Sequence, residues 1–171
     1  MEAAGKLDNF KLQAGRKYRY LRIPEEQQET KLSYFRDDAV GNVNRLKEFE
    51  THLLSIDFHQ EQIDNIYEIL AAILLLGEVR YKVGDGSSKV AELEEPEMAQ
   101  RVAELLKVDE KKFQWALVNY CVVEKGTAER RRHTSDEARD ARDVLAGTIY
   151  TRLVDWIINT IDHKLALGRA V

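Results

Sequence analysis

Five residues within nine positions, Lys125, Arg130, Arg131, Arg132 and His133, are cationic or able to become so. Their shared chemistry is attraction and multidentate hydrogen bonding to an acidic surface. Other reactive groups are scattered. The four histidines, His52, His59, His133 and His163, fall at no metal-ligand spacing, and His52 and His59 read as surface or helix-end residues. No G-x-x-x-x-G-K-[ST] loop occurs, and Gly84-Asp85-Gly86 reads as part of a turn. In "DEARDARD" the carboxylates alternate with Arg139 and Arg142, which reads as a solvated, self-paired helix face. The single cysteine, Cys121, sits in an apolar run and reads as a buried small hydrophobe. Nothing forms a catalytic constellation, so what remains is a binding or structural segment. A basic loop is often just solvated. Here it lies between an apolar strand and a capped helix, and its sign opposes that of the chain.

The chain has 171 residues, 44% hydrophobic and 33% charged, with a formal net charge of −4. That length fits one domain with a packed core. The acidic balance argues against bulk binding to nucleic acid. One cysteine excludes an internal disulfide and fits a reducing compartment. "MEAAGKLDNF" has no signal-peptide core, and "ILAAILLLG" is too short to span a bilayer. The expectation is an intracellular, soluble chain.

Periodicity supplies the scaffold. Lys6–Ile23 reads as a short amphipathic piece, a break at Gly15 and an extended Tyr18–Leu21. Pro24 and Glu25–Thr30 read as polar loop or a short helical turn. Val43, Leu46, Phe49, Leu53 and Leu54 recur at helical spacing over Asp38–Ser55. A second helix is expected from about Gln60 to Leu76, with Ile63, Ile66, Tyr67, Leu70, Ile73 and Leu74 inward, a last turn apolar on nearly every side, and Gly77 as its stop. Glu78–Val83 alternates like a strand and Gly84–Ser88 like a turn. Two short helices follow, Glu97–Lys107 and Glu110–Tyr120, with Asp109 as N-cap of the second. Tyr120–Glu124 reads as a brief strand ahead of the basic loop. Thr134-Ser135-Asp136-Glu137 is a capping box. Behind it a helix continues to about Leu165, with Ala138, Ala141, Leu145, Ile149, Trp156 and Ile161 on its apolar face. Some thirty residues make a rod of roughly 45 Å.

Two stretches resemble the myosin motor domain. Ile69, Leu70, Ala71, Ala72, Ile73, Leu74, Leu76, Gly77 and Val79 match the family pattern I-L-A-A-I-L-x-L-G-x-[IV]. Ala141, Arg142, Asp143, Leu145, Ala146, Ile149, Tyr150, Arg152, Leu153, Trp156 and Ile157 match A-R-D-A-L-A-K-x-I-Y-x-R-L-F-x-W-I-V. "YRYL" at Tyr18–Leu21 is similar to the family's aromatic segment. Gly147 stands for the usual Lys, Val154 for Phe, His59 for a capping Ser, and Arg132-His133 for Pro-Leu. These departures suggest an unconventional class.

The resemblance implies a mainly α fold with a few short strands, covering residues 1–171 as part of a P-loop NTPase-type motor and not a complete closed fold. It implies the upper cleft subdomain, with an actin-contacting surface loop at about 123–133 and a long helix at about 135–165. Lys125, Arg130, Arg131, Arg132 and His133 would then face the acidic surface of actin. Thr127, sixteen residues before Asp143, falls where the family carries an acidic or phosphorylatable residue, so it is the candidate for phosphoregulation. The helix would couple nucleotide state to cleft closure. Implied partners are actin filaments and the rest of the myosin heavy chain, with no nucleic acid and no membrane span, in the cytoplasm and on the cytoskeleton. ATP and Mg belong to the complete motor. The phosphate loop and both switches would lie outside this span, so the chain alone is expected to be inactive as an ATPase. The rival readings are a non-motor actin-binding module and a helical scaffold without a nucleotide site.

Overall fold

The computed structural model describes residues 5–22, 38–84 and 89–168. Five α-helices occur among them: α1 (Ala39–Ser55), α2 (Gln60–Leu76), α3 (Pro96–Leu105), α4 (Glu110–Val118) and α5 (Ser135–Gly168). Two antiparallel strand pairs complete the set: β1 (Tyr81–Val83) with β2 (Ala91–Leu93), and β3 (Asn119–Glu124) with β4 (Thr127–Arg132). The mainly α expectation holds. The readings at Pro24, Glu25–Thr30 and most of Gly84–Ser88 lie outside the described residues. The chain divides into two units, residues 1–71 with 151–171, and residues 72–150. Both divisions fall inside helices, α2 and α5.

In the first unit the helix ends are set by local chemistry. Asp38 caps α1 by accepting the Gly41 N–H at 2.9 Å. A Cβ at Gly41 would lie 1.9 Å from Asp38 Oδ2, so the glycine makes room for the cap. At the other end Asp57 takes φ 70°, the Phe58 N–H reaches the Leu53 carbonyl at 3.0 Å, and the Asp57 N–H reaches Leu54 at 3.0 Å. This is a Schellman motif, and its hydrophobic pair, Leu53 and Phe58, is buried. Only that end of the expected α1 stripe is covered: Val43 and Leu46 are half-buried, while Phe49 and Leu54 are exposed. Periodicity marks a stripe but does not say how far along it a neighbour extends. The Phe10 ring meets Tyr67 edge-on at 5.8 Å. Gly15 has φ 72°, as a break requires. Arg19–Leu21 is a 3₁₀ turn and not extended. With no ladder there, i to i+3 bonds such as Leu21 N–H to the Tyr18 carbonyl (3.0 Å) satisfy the backbone.

In the second unit the end of α2 is buried as expected: Ala72, Ile73, Leu75 and Leu76 are core, with Leu74 half-exposed. The Gly77 N–H bonds the Ile73 carbonyl at 3.2 Å and closes the last turn. Glu78 and Val79 continue in turn bonds to Leu75 and Leu76, which delays the strand to Tyr81. Its partner β2 had no alternating signal long enough to be read; Tyr81 opposes Leu93, and Val83 opposes Ala91. α3 packs Met98, Ala99, Val102, Ala103 and Leu105 inward. It ends in a second Schellman motif, with Lys107 at φ 56° and the Val108 N–H on the Ala103 carbonyl at 3.0 Å. Asp109 caps α4 by accepting the Lys112 N–H at 2.8 Å, as its position predicted.

Candidate binding surface

The basic segment folds as a hairpin, and this corrects the expected loop. β3 and β4 pair from Asn119 opposite Arg132 to Glu124 opposite Thr127. Lys125 (φ 50°) and Gly126 (φ 81°) both take positive φ between them, which is the two-residue type I′ geometry whose twist matches paired strands. The turn signal was there in Lys125-Gly126, but five polar residues out of six in β4 hid the strand. A β-strand with both faces wet carries no apolar alternation.

The base of the hairpin is tied down. Val90 bridges Thr134, and the Ala91 N–H bonds the His133 carbonyl at 2.8 Å. One residue on, the capping box closes as predicted: Glu137 accepts the Thr134 N–H at 2.7 Å, and the Glu137 N–H reaches Thr134 Oγ1 at 3.3 Å. These bonds from Thr134 hold the Glu137 carboxyl below the usual range. α5 then runs for 34 residues.

On α5 in this unit Ala138 is buried as expected, but the buried stripe then runs through Arg142 and Ala146, each one position past the expected Ala141 and Leu145, which are half-buried. Arg142 is 4% exposed, which overturns its assignment to a solvated face. Its Nη1 donates to the Val79 carbonyl at 2.7 Å, and its Nε to Asp143 Oδ1 at 2.9 Å. The buried Nη2 also lies 2.8 Å from that carboxylate oxygen, but off line for a hydrogen bond. Tyr81 is buried nearby, its hydroxyl pushed up to about 12 by burial and by Asp143, against the opposing pull of Arg142. Within the first unit, Trp156 meets Phe58 edge-on at 6.1 Å, although it is 41% exposed.

The five cationic residues do not share one role. Alternation puts Arg130 and Arg132 on one hairpin face with Asn119, Cys121, Val123 and Ala128; Arg131 lies on the other with Tyr120, Val122, Glu124, Thr127 and Glu129. Arg131 pairs with Glu129 at 2.7 Å and with Glu124 at 3.9 Å, and the Glu129 contact raises its pKa. Arg132 donates to the Ala91 carbonyl at 3.1 Å and sits 3.9 Å from Glu92. Arg130 lies over the Trp115 ring at 5.7 Å. Lys125 stands exposed at the turn. His133 stacks on Tyr120 at 4.6 Å with its Nδ1 buried, at the base and not at the tip. Cys121 is exposed, which corrects its expected burial: its hairpin face is open. Thr127 faces Glu124 across the ladder and shares its side with Arg131, while Arg130 points away.

His52 and His59 are exposed, at the end of α1 and ahead of α2, and Gln62 Oε1 accepts the His59 N–H at 3.0 Å. Among the described residues no three His, Cys, Asp or Glu side chains converge on a metal site, and no helix is long and apolar enough to cross a membrane.

Comparison with known proteins gives a consistent pattern. Residues 2–170 match the family model described as myosin head (motor domain). "Neither inactivation nor afterpotential protein C" of Drosophila melanogaster is 50% identical over 165 residues, covering 96% of this chain and 11% of that protein. Myosin-IIIb of Mus musculus is 27% identical over 84% of this chain and 12% of its own length. Myosin-IIIa of Homo sapiens is 35% identical over 64% of this chain and 7% of its own. The chain thus spans about a tenth of the length of these relatives.

Proposed function

Because this chain belongs to the myosin head (motor domain) family, we propose that it is a segment of an actin-based, ATP-driven motor of an unconventional class. In this reading the β3–β4 hairpin contacts the actin filament, and α5 couples the hairpin to the nucleotide-dependent closure of the cleft. The observation that carries it is the hairpin's attachment. Its exposed cations stand on a paired ladder whose base bridges Val90 and whose next residues cap α5. A push on the tip is then felt by the helix end. The Arg142 bond to the Val79 carbonyl fixes that helix against the segment that follows α2.

The partners are the actin filament and the remainder of a heavy chain, and the setting is the cytoplasmic cytoskeleton. ATP and Mg would be bound by other parts of such a motor. The sequence here carries no phosphate-binding loop of the G-x-x-x-x-G-K-[ST] kind.

Thr127 is the proposed site of phosphoregulation. A phosphate there adds a charge of about −2 opposite Glu124 and beside Glu129, with Arg131 as the cation on the same face. Kinase treatment followed by site mapping tests this; an unmodified Thr127 removes the role.

The contact itself is tested by actin co-sedimentation across a salt series, using the protein in the length at which cells make it. The variant with Arg130, Arg131 and Arg132 changed to Ala should bind more weakly, and the difference should shrink as salt screens the attraction. Equal binding by parent and variant would overturn the hairpin's role.

A further inference from the structure

The two faces of the β3–β4 hairpin differ in charge and in cover. On one, Arg130 and Arg132 are joined by Cys121, Val123 and Ala128, and no carboxylate of the hairpin points that way. On the other, Glu124 and Glu129 flank the single Arg131 and bind it. The first face is open: Cys121, Val123, Ala128 and Arg130 are all exposed, with Val123 at 71%. The second is partly covered, since Tyr120 and Val122 are half-buried.

The open face does not end at the hairpin. Arg130 lies over the ring of Trp115, which is 40% exposed on α4. Lys111 and Lys112, both exposed, precede Trp115 by about one turn and share its side of the helix. Tryptophan and arginine stacked together form a rigid pair that combines apolar area with charge, and such residues carry much of the energy at protein interfaces. At the hairpin base Glu92 lies 3.9 Å from Arg132. Farther along α4, Glu110 is held by the Gln114 amide at 3.0 Å. The centre around Arg130, Val123 and Trp115 is therefore cationic and apolar together.

We propose that the docking surface is this one face only, centred on Arg130, Trp115 and Val123 and extended by Lys111 and Lys112 of α4. Its occupant is an acidic protein surface that carries an apolar spot. The proposal rests on the reading of the hairpin as an actin contact and refines it: the filament meets the Arg130 side, and the Arg131 side is turned away with its charges mutually neutralised. α4, which carried no binding signal in the sequence, becomes part of the interface.

Neighbouring arginines on opposite faces make the test. Arg130→Glu and Arg131→Glu change the net charge equally, and Arg130→Gln and Arg131→Gln repeat the comparison without a new carboxylate. Each is measured by actin co-sedimentation at low salt with the protein at its native length, after thermal unfolding shows that it is folded. Arg130→Glu should weaken binding by roughly tenfold or more and Arg131→Glu by no more than about two- to threefold. Trp115→Ala should weaken binding too, with Trp115→Phe retaining most of it. Equal losses at Arg130 and Arg131, or a larger loss at Arg131, would overturn the one-sided surface and leave the hairpin contact standing. No loss at either would overturn both. Loss at Arg130 with parent-like binding of Trp115→Ala would remove α4 from the surface and overturn the proposal as stated.

Discussion

Arg142 Nη1 and the carbonyl of Val79 meet at 2.7 Å across 63 residues of sequence. The bond joins the second turn of α5 to the chain just past α2, and it explains why a guanidinium is 4% exposed. Val79 is itself fully buried, so its carbonyl has no water to bond. A long donor reaching in from α5 satisfies it, while Asp143 balances the charge.

Removing that donor should be costly. Arg142→Met keeps the stem but leaves the Val79 carbonyl unpaired, and should lower stability by about 1.5–3 kcal/mol. Urea unfolding of parent and variant measures it, and an unchanged midpoint would show that the bond contributes nothing net.

Tyr81 makes the stability depend on alkali. Its hydroxyl is pushed up to about 12 in the fold against about 10 in the unfolded chain. A raised folded value gives stability that is complete below the unfolded value and lost as pH rises from about 10 towards about 12. Tyr81→Phe also removes a buried hydroxyl with no hydrogen-bond partner, so it should be near neutral at pH 7. Its Tm should fall less than the parent's between pH 8 and pH 11; parallel falls would contradict this.

At the start of α5 the sign reverses. The Thr134 bonds hold the Glu137 carboxyl below its ordinary value, so the cap's contribution is present above about pH 4.3 and is lost as pH falls through the lower folded value. Glu137→Ala should melt earlier than the parent at pH 7. The gap in Tm should close on acidification, and a gap that persists at pH 2 would mean the carboxylate is not its source.

The hairpin turn depends on Gly126, whose φ of 81° suits glycine. Nothing lies within 4 Å of a Cβ added there, so the cost of Gly126→Ala is backbone strain alone. It should be about 1 kcal/mol, seen as faster amide exchange in β3 and β4, with α3 unchanged. Equal exchange across the hairpin would show that the turn tolerates a side chain.

Much of this was legible in the chain itself. Asp109 and the Thr134–Glu137 box act through neighbours within a few positions, so their spacing suffices, and the last turn of α2 is apolar on nearly every side, so it is buried whichever way it faces. The motifs at Ile69–Val79 and Ala141–Ile157 were enough to point to the family. The arginine cluster was equally visible as a cluster. Its division into Arg130 on one face and Arg131 on the other was not, because strand alternation exists only once β4 is known to pair with β3. Arg142 and Cys121 were placed on the wrong side of the surface for a related reason. An arginine in a charged helix is ordinarily wet, and a cysteine between valines ordinarily buried. Only the fold brings the Val79 carbonyl to the guanidinium and leaves the Cys121 side of the hairpin uncovered. Sequence sets the local bonds, whose partners lie within a turn. For residues of mixed surroundings such as Arg142, Cys121 and the β4 arginines, burial and facing depend on partners far away in sequence or across a strand pair, and the tertiary structure alone decided them.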